Sequence, residues 1–569
     1  MLILSIWDGH DAGAALTVDG FLAAAVNEER FTRRKLEIHF PVKSIAQCLA
    51  IAKVSAADVD VVAACTGDVA KTLARWIPGL KERYYRIRRR KSAPGLLANL
   101  QKRVKYWIPE WGPTRLSRSL SVRALRNEVA RAGLTSAQLT LLDHHECHAS
   151  AAAWASGFPS CAVLTIDGVG DGLSSTVSRF ADGRLTRIAE SSAQDSLGIF
   201  FEHVTNLLNM RELEDEGKVM ALADYAAPIP DERNPLLSIF AIRDGRVVSR
   251  VPGHAMLPSL RAVLWKFPSE QFAYMAQRTV ESVCVQLARD AVRLTGLNRL
   301  ALAGGVVSNI KATRHVARLE GMDAVYVFPH MGDGGLALGA GIAAAWARGV
   351  TVRPGFSDLA LGPEYTDCEM TAAFERSGLP FQKADDLACD VADLLEADRI
   401  VFWFQGRMEY GPRALGCRSV LARPDRPDLR DRLNRVLKQR VWYQPFCPSM
   451  LQSDASQVLE NHAGRMNSHM TMAFAVRPEY REAFAGVTSL DGMCRPQIVP
   501  DDAPGRFADV LRALKARRGS GVVLNTSFNI HGEPLVCTPE DAAEVYIRTG
   551  ADALAMGPFL TKRSVPSMK

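Results

Sequence analysis

The sequence predicts a two-domain α/β protein whose first domain repeats one structural plan. In this plan a short apolar strand leads into an Asp/Gly loop and a second strand, first near residue 2 and again near residue 162. Helical and strand patterns then alternate through the C-terminal third. The 569 residues, 47% hydrophobic and 23% charged, can bury large cores and exclude a disordered or fibrous chain.

The N-terminal segment predicts three consecutive strands. Leu2–Trp7 and Ala14–Val18 are apolar and β-prone. Asp19-Gly20 then supplies a turn before Phe21–Val26. The polar loop Asp8–Asp11 follows the first strand, where side chains stand on a rigid base, so we expect it to carry chemistry.

The same plan returns further along the chain. Ala162–Ile166 is a short apolar strand, the loop Asp167–Gly172 follows, and Ser174–Phe180 forms the next strand. A third apolar strand, Leu300–Ala303, leads into Gly304-Gly305 and then a helix. This recurrence favours a duplicated α/β architecture with a nucleotide or metal cleft between its halves.

A domain boundary is expected within residues 351–365, where proline and glycine interrupt the periodicity. It separates a first domain of residues 1–355 from a second α/β domain of residues 366–569. Before it, Gly334–Ala347 is shorter than the roughly 20 residues of a membrane helix, and its Gly and Ala favour a closely packed interior helix. The second domain alternates helices and strands over Ala388–Glu396, Ile400–Trp403, Val420–Leu421, Met472–Val476 and Gly521–Leu524.

Charge and cysteine content narrow the classes of function. The net charge of +7 is mild for this length and allows anionic substrates without indicating a nucleic-acid partner. The 11 cysteines form no CxxC pair, which argues against zinc ribbons and favours reduced thiols in a cytoplasmic protein. The N-terminus lacks the basic leader of a signal peptide, and no membrane partner is expected.

One basic run, Arg83–Lys91, also contains two tyrosines. A solvated helix or loop is the favoured interpretation. A patch that binds phosphate or a partner surface is the alternative.

The strongest local signal is the pair His144 and His148, four residues apart. On a helix they share one face and can converge on a metal, with His145 as an alternative partner for His148. Asp167 and Asp333 lie in Asp/Gly loops and add two carboxylates. This mixed set suits Fe(II), Mn(II) or Zn(II), whereas an isolated HxxxH is more often a pair of surface or core histidines.

Glycine-rich loops form the second signal. Gly168, Gly170, Gly304 and Gly305 lie where backbone N–H groups could cradle a phosphate, although Asp-Gly is also an ordinary hairpin turn. Lys218 could reach such a phosphate, or it could lie in an exposed turn.

Cations and hydroxyls in the second domain form the third signal. Arginine forks bind phosphate or carboxylate, and turns with surface arginines explain the pattern equally well. The candidates are Arg407, Arg413, Lys438, Arg440, Arg495, Thr526 and Ser527.

Taken together, these residues resemble the NodU/CmcH family of O-carbamoyltransferases over nearly the whole chain. The order of the motifs is more specific than any one of them. The matching segments are residues 9–12 (GHDA), 27–33 (NEERFTR), 144–149 (HHECHA), 216–223 (EGKVMALA), 304–309 (GGVVSN), 330–335 (HMGDGG), 406–416 (GRMEYGPRALG), 495–497 and 525–529 (NTSFN), with the Lys438/Arg440 pair.

The resemblance implies an N-terminal domain of the actin-like ATPase (ASKHA) fold and a C-terminal YrdC-like domain. The C-terminal domain would form carbamoyl-adenylate from carbamoyl phosphate and ATP, with Mg²⁺ accompanying ATP. The N-terminal domain would then transfer the carbamoyl group to a hydroxyl of a small-molecule natural product.

The resemblance also implies residue roles. Iron would be bound by His144, His148, Asp167 and Asp333, and His10 would be the general base with Asp8 nearby. Arg413, Lys438, Arg495 and Ser527 would hold carbamoyl phosphate or the adenylate. The remaining expected substrate or nucleotide contacts are Gly168, Gly170, Lys218, Gly304, Gly305, Asn309, Arg407, Arg440 and Thr526.

Three departures and two alternatives stay open. Leu36, Cys417 and Gln444 stand where the family usually has His, Asn and Arg. Threonylcarbamoyl transfer to tRNA is one alternative, with Arg83–Lys91 as its only support. An actin-like nucleotide switch is the other, but it would need neither the histidine site nor the second domain.

Overall fold

The computed structural model describes residues 1–89, 111–356, 358–462 and 466–563, which form two compact units. The first unit comprises Met1–Glu29 and Leu36–Ser357. The second comprises Asp358–Lys569 and also the short segment Arg30–Lys35. Among the helices of these described ranges, none is both long and apolar enough to cross a membrane.

The first unit contains two five-stranded sheets surrounded by helices. Its strands are β1 (Leu2–Trp7), β2 (Gly13–Val18), β3 (Phe21–Asn27), β4 (Val61–Cys65), β5 (Gln138–Leu142), β6 (Ser160–Gly170), β7 (Leu173–Ala181), β8 (Arg184–Ser192), β9 (Phe240–Arg243), β10 (Arg246–Ser249), β11 (Arg299–Ala303) and β12 (Ala324–Val327). Strands β9 and β10 form a separate hairpin.

The helices that begin in this part of the chain range from one turn to 27 residues. They are α1 (Glu29–Thr32), α2 (Val42–Ala52), α3 (Val69–Trp76), α4 (Pro78–Arg88), α5 (Arg115–Arg131), α6 (His144–Ser156), α7 (Leu197–Leu207), α8 (Glu216–Leu222), α9 (Gly253–Leu264), α10 (Ser269–Thr295), α11 (Ile310–Ala317) and α12 (Leu336–Trp346).

The two five-stranded sheets share one strand order. The first runs β3-β2-β1-β4-β5 and the second β8-β7-β6-β11-β12. In the order given, the first three strands of each sheet are antiparallel neighbours, and the last two strands run parallel to the third. The predicted α/β duplication is therefore confirmed, and the repeated order is that expected of the actin-like ATPase fold.

Most elements predicted in the first domain are present, with one difference in the second repeat. The loop predicted at Asp167–Gly172 is largely strand, because β6 continues to Gly170 after an irregularity that follows Ile166. The Gly/Ala run forms α12, ten of whose eleven residues are buried, so the predicted interior helix is confirmed.

The second unit is built on one eight-stranded mixed sheet with the order β13-β22-β21-β14-β15-β20-β16-β19. Its strands are β13 (Gln382–Lys383), β14 (Val401–Phe404), β15 (Arg418–Ala422), β16 (Cys447–Leu451), β17 (Phe474–Ala475), β18 (Met493–Cys494), β19 (Gln497–Val499), β20 (Val522–Ser527), β21 (Ala553–Met556) and β22 (Phe559–Lys562). Its helices are α13 (Asp367–Arg376), α14 (Leu387–Glu396), α15 (Pro427–Arg432), α16 (Gln452–Val458), α17 (Arg506–Arg518) and α18 (Pro539–Thr549).

Apolar side chains bury both faces of this sheet. One cluster includes Phe402 and Phe528, and another includes Trp403 and Leu511. The second unit is therefore of the α/β class.

The segment Arg30–Lys35 belongs to the second unit although it lies far away in sequence. Phe31 packs against the buried cluster that contains Met408 and Leu535. Arg33 donates to the carbonyl oxygen of Pro534 at 3.1 Å and pairs with Asp541 at 3.5 Å. No local sequence pattern predicts this association.

Candidate metal centre and arginine pocket

The predicted metal ligands meet at one edge of the two repeated sheets. Parallel strands in one sheet present their carboxyl ends at the same edge. β5 ends just before His144, β12 ends just before the turn that carries Asp333, and Asp167 lies in β6 itself. Asp143 caps α6 by accepting from the backbone N–H of Glu146, so the helix begins with the two histidines on one face.

His144, His148, Asp167 and Asp333 form one buried cluster, with one ligand atom of each residue within 4.8 Å of all the others. The Nε2 atom of His144 lies 3.2 Å from Asp167 Oδ2 and 3.6 Å from Asp333 Oδ1. The Nε2 atom of His148 lies 3.8 and 3.5 Å from the same two oxygens. The structure thus brings together all four predicted ligands and disfavours unrelated surface histidines.

Electrostatics reinforce this grouping. Burial disfavours the charged form of His144, but Asp333 and Asp167 raise its pKa to about 10. Burial likewise disfavours the Asp167 carboxylate, yet the hydrogen bond from His144 and the nearby His148 imidazole hold its pKa well below the usual range. Two buried carboxylates facing two imidazoles are therefore stable only with bound positive charge, supplied by protons or by a metal ion.

The donor set fits a divalent transition metal. Nε2 of His148 is buried and has no hydrogen-bond partner among the described residues, which is the condition expected of a ligand atom. Two imidazoles with two carboxylates match the mixed nitrogen and oxygen preference of such ions. His145, the alternative partner, points elsewhere: its Nδ1 lies 2.8 Å from Thr165 Oγ1.

Backbone and hydroxyl groups hold the ligands from behind. Gly305 donates its N–H to Asp167 Oδ1 at 2.7 Å, and the hydroxyl of Thr66 lies 3.1 Å from Nδ1 of His144. Gly170 leaves room for the His144 ring, since a Cβ there would lie 2.1 Å from it. Gly170 and Gly305, predicted as phosphate contacts, thus lie against metal-ligand residues. Thr66 was missed, because a single threonine after a strand gives no sequence signal.

His10, the predicted general base, lies beside the cluster. Its Nε2 is 3.3 Å from Asp333 Oδ2, and its Nδ1 has no partner in the described part of the chain. The indole N–H of Trp7 donates to the His10 carbonyl oxygen at 2.7 Å, which fixes the loop. A histidine with one nitrogen held by a carboxylate and the other unpartnered can accept a proton.

Asp8, the residue expected near the general base His10, is surrounded by cations. It accepts a two-point contact from Arg75 at 2.9 and 3.0 Å. Lys71 and Lys81 also approach it, at 2.9 and 3.4 Å. Burial disfavours the Asp8 carboxylate, but the three cations hold its pKa well below the usual range.

The other predicted nucleotide contacts of the first unit are engaged within it. Asn309 caps α11 and exchanges hydrogen bonds with Gln277 at 2.8 and 3.0 Å. Lys218 is buried in α8, 2.7 Å from Asp215, so the exposed-turn interpretation is wrong.

Two predicted glycines complete this set. The carbonyl oxygen of Gly168 accepts from Ser196 Oγ. Gly304 has a φ of 97° after β11, and a Cβ there would lie 2.2 Å from the Ile166 carbonyl oxygen.

The basic run lies partly in α4 and partly at residues 90 and 91, which are outside the described residues. Arg88 pairs with Glu202 at 2.6 Å and with Glu212 at 3.4 Å. Arg89 pairs with Glu214. These two arginines are therefore matched to carboxylates within the unit rather than forming a solvated face.

Three arginines of the second unit, Arg413, Arg440 and Arg495, lie close enough together that Arg495 lowers the pKa of the other two; we call this cluster the arginine pocket. Cys447 begins β16, and Arg495 lies just before the parallel neighbour β19, so the two residues are adjacent. Both Nε and Nη2 of Arg495 donate to Cys447 Sγ, at 3.2 and 3.0 Å. Cys447 had no sequence signal, since isolated cysteines are common in cores.

These three guanidinium groups form no ion pair with a carboxylate within the described ranges. Burial and the neighbouring Arg495 lower the pKa of Arg413 to about 9. Burial also lowers the pKa of Arg440 to about 9, against the opposing influence of Cys447. Half-buried cations without a counter-charge are suited to binding an anion.

Lys438 and Ser527 lie together, as the sequence predicts for one site. The Lys438 Nζ contacts the Ser527 carbonyl oxygen, and it lies 3.2 Å from Ser527 Oγ and 2.9 Å from Asn529 Oδ1. Burial and the nearby Arg440 lower the pKa of Lys438. Thr526 precedes Ser527 on β20, whereas Arg407 donates to the carbonyl oxygens of the 361–362 turn.

The structure shows the surroundings of the three residues that depart from the family pattern. The side-chain oxygen Oε1 of Gln444 is buried without a hydrogen-bond partner in the described segments, and the Cys417 N–H donates to Glu409 Oε1 at 2.8 Å. Leu36 is buried, with a φ of 57°.

Two family models cover most of the chain. One described as carbamoyltransferase N-terminus matches residues 3–342, and one described as carbamoyltransferase C-terminus matches residues 392–563. Nodulation protein NolNO of Sinorhizobium fredii is 29% identical over 98% of this chain and 80% of that protein. Nodulation protein NolO of Bradyrhizobium diazoefficiens is 33% identical over 75% of this chain and 80% of that protein.

Solved structures align only loosely. Component A of (R)-2-hydroxyglutaryl-CoA dehydratase from Acidaminococcus fermentans aligns with a TM-score of 0.34 at 14% identity, covering 61% of this chain and 99% of that one. Full-length HypF in its phosphate- and nucleotide-bound form aligns with a TM-score of 0.32 at 15% identity, covering 60% of this chain and 55% of that one.

Proposed function

This protein belongs to the carbamoyltransferase family and is a carbamoyltransferase, and from that premise we propose that it is an ATP-dependent O-carbamoyltransferase acting on a hydroxyl of a small-molecule natural product. The observation that carries the proposal is the arginine pocket, where three half-buried guanidinium groups lack a carboxylate partner in the described part of the chain. Carbamoyl phosphate and the phosphates of ATP are anions that arginine forks bind well.

The second unit, proposed as YrdC-like, activates the carbamoyl group. Carbamoyl phosphate, ATP and water give carbamoyl-adenylate, pyrophosphate and phosphate. Activation is needed because the carbamoyl nitrogen donates into its carbonyl and makes it a poor electrophile, whereas AMP is a good leaving group. Arg413, Arg495 and Lys438 offset the charge that develops on the departing phosphates, and Ser527 orients them.

The first unit transfers the carbamoyl group. The acceptor hydroxyl attacks the carbamoyl carbon, the bond to AMP breaks, and the hydroxyl proton passes to Nδ1 of His10. Asp333 holds the other ring nitrogen at 3.3 Å and orients the base. An iron ion held by His144, His148, Asp167 and Asp333 would supply Lewis acidity to a carbonyl or phosphate oxygen.

The test is to incubate the purified protein with Fe(II), Mg²⁺, ATP and carbamoyl phosphate in the absence of acceptor. We expect pyrophosphate release and a product with the mass of carbamoyl-AMP. Arg413→Ala and Ser527→Ala should weaken both signals, whereas Arg512→Ala should not, because Arg512 already pairs with Asp509. Hydrolysis of ATP to ADP alone would contradict the proposal and favour a nucleotide switch.

A further inference from the structure

Thr66 lies next to the candidate metal cluster and contacts one of its residues, His144. Its Oγ1 is 3.1 Å from Nδ1 of His144, while Nε2 of the same ring faces Asp167 and Asp333. The hydroxyl hydrogen has its own acceptor in Cys65 Sγ at 3.6 Å. This leaves the oxygen lone pairs to accept from Nδ1–H, so the lone pair of the imidazole is on Nε2, facing the cluster.

The backbone at Thr66 is strained, as a comparison with the equivalent position in the second sheet shows. Thr66 follows β4 directly, and Gly304 follows β11, which occupies the same place in the second sheet. Both residues have positive φ, 68° at Thr66 and 97° at Gly304. Glycine adopts this conformation freely, whereas a β-branched residue there is an outlier. The first half thus keeps a threonine where its repeat has glycine.

The residues that follow extend this equivalence. Gly305 donates its N–H to Asp167 at 2.7 Å. Gly67, the equivalent residue after β4, donates its N–H to Asp171 at 2.9 Å, and Asp171 also accepts from the N–H of His144 at 2.9 Å. In each half, therefore, the turn after the fourth strand supports a metal-ligand residue.

A buried ion pair holds the strained turn in place. Arg75 donates to the carbonyl oxygens of Cys65 and Thr66, at 2.9 and 2.7 Å. The same guanidinium grips Asp8 with two hydrogen bonds, and Lys71 adds a further contact to that carboxylate. The strain is thus fixed by surrounding structure, as is typical of residues kept for function.

We propose that Thr66 is a positioning residue of the metal centre: its hydroxyl accepts Nδ1–H of His144, selects the tautomer with a free Nε2 and orients the ring toward the ion. Asp8 and Arg75 act through it, by fixing the 65–66 peptide groups. The inference rests on the metal site and not on carbamoyl transfer, so it stands or falls independently of the acceptor and of adenylate formation.

The experiment uses Co(II) as the probe, because its visible absorption reports both affinity and geometry. The full chain is stripped of metal and titrated as wild type, Thr66→Gly, Thr66→Val and Thr66→Ser, and the thermal unfolding of each metal-free protein is recorded. Thr66→Gly removes the strain and the hydroxyl together. Thr66→Val keeps the shape and the strain but lacks the hydroxyl, and Thr66→Ser restores the hydroxyl.

We expect Thr66→Gly and Thr66→Val to bind Co(II) about 10–100-fold more weakly, with altered absorption, and Thr66→Ser to resemble the wild type. Metal-free Thr66→Gly should unfold at the same temperature as wild type or higher, which separates positioning from a merely structural role. Wild-type affinity in both hydroxyl-free variants, or absence of Co(II) binding by the wild type, would overturn the proposal.

Discussion

At the scale of single residues, the candidate metal ligands are the most directly testable feature. His144 and His148 contribute the imidazoles of a buried cluster in which two carboxylates lie within 3.8 Å of their Nε2 atoms. Replacing both histidines with alanine should lower metal affinity by more than about a hundredfold, because half of the donors are lost. Metal content after gel filtration, measured by mass spectrometry, checks this.

The control for that variant is His254→Ala, since His254 is an exposed histidine outside the cluster. It should keep the metal content of the wild type. Full stoichiometric iron in the double variant would show that the ion is bound elsewhere.

A second residue-scale prediction concerns the arginine pocket. Arg495→Ala should weaken pyrophosphate binding about 10–100-fold, because a hydrogen bond to a charged group contributes about 1.5–3 kcal/mol. Isothermal titration calorimetry measures the affinity. Arg512→Ala serves as the matched control, and equal affinities for the two variants would exclude the pocket as the anion site.

At the scale of elements, the contact between α6 and α12 depends on a glycine. A Cβ at Gly339 would lie 2.0 Å from the carbonyl oxygen of Cys147, which lies between the two histidine ligands on α6. Gly339→Ala should therefore destabilise the protein by about 1–3 kcal/mol, since backbone cannot yield as a flexible side chain does. Denaturant unfolding followed by fluorescence gives the change.

Gly217→Ala is the matched control for this change. Gly217 also lies in a helix, but nothing lies within 4 Å of a Cβ built there. Alanine at that position should be neutral or stabilising by up to about 1 kcal/mol. Equal stability losses in the two variants would mean that close helix packing at Gly339 is not the cause.

Local sequence patterns predict which helices and strands form better than they predict where those elements begin and end. Leu2–Trp7 was predicted residue for residue, because an apolar β-prone run before an Asp/Gly loop has few other solutions. The Asp167–Gly172 loop was predicted too long, since β7 lets β6 continue past an irregularity that no single strand encodes. Nor does any local pattern show that Gly305 faces Asp167, 138 residues away.

At the scale of the whole molecule, the segment Arg30–Lys35 packs with residues that lie far away in the sequence. Phe31 packs into the second unit against residues more than 370 positions later. Phe31→Ala should raise amide exchange around Met408 and Leu535 about tenfold. Complete burial of a large apolar side chain contributes about 1.5–3 kcal/mol, and Phe31 contributes less because it is only partly buried.

Hydrogen exchange read by mass spectrometry locates that effect. The control is Phe21→Ala, because Phe21 is an exposed phenylalanine of the first unit. If Phe31→Ala left exchange around Met408 unchanged, the segment would not stabilise the second unit.

The repeated sheet order also shows that the four candidate ligands come from both halves of the first unit. His144 follows the fifth strand of one half, Asp333 follows the fifth strand of the other, and Asp167 lies in a strand equivalent to β1. A symmetric pair of first halves would offer a centre rich in imidazole, and a pair of second halves would offer only carboxylates, which suit magnesium or calcium. The mixed nitrogen and oxygen donor set therefore needs both halves, and replacing either half with a copy of the other would change that set.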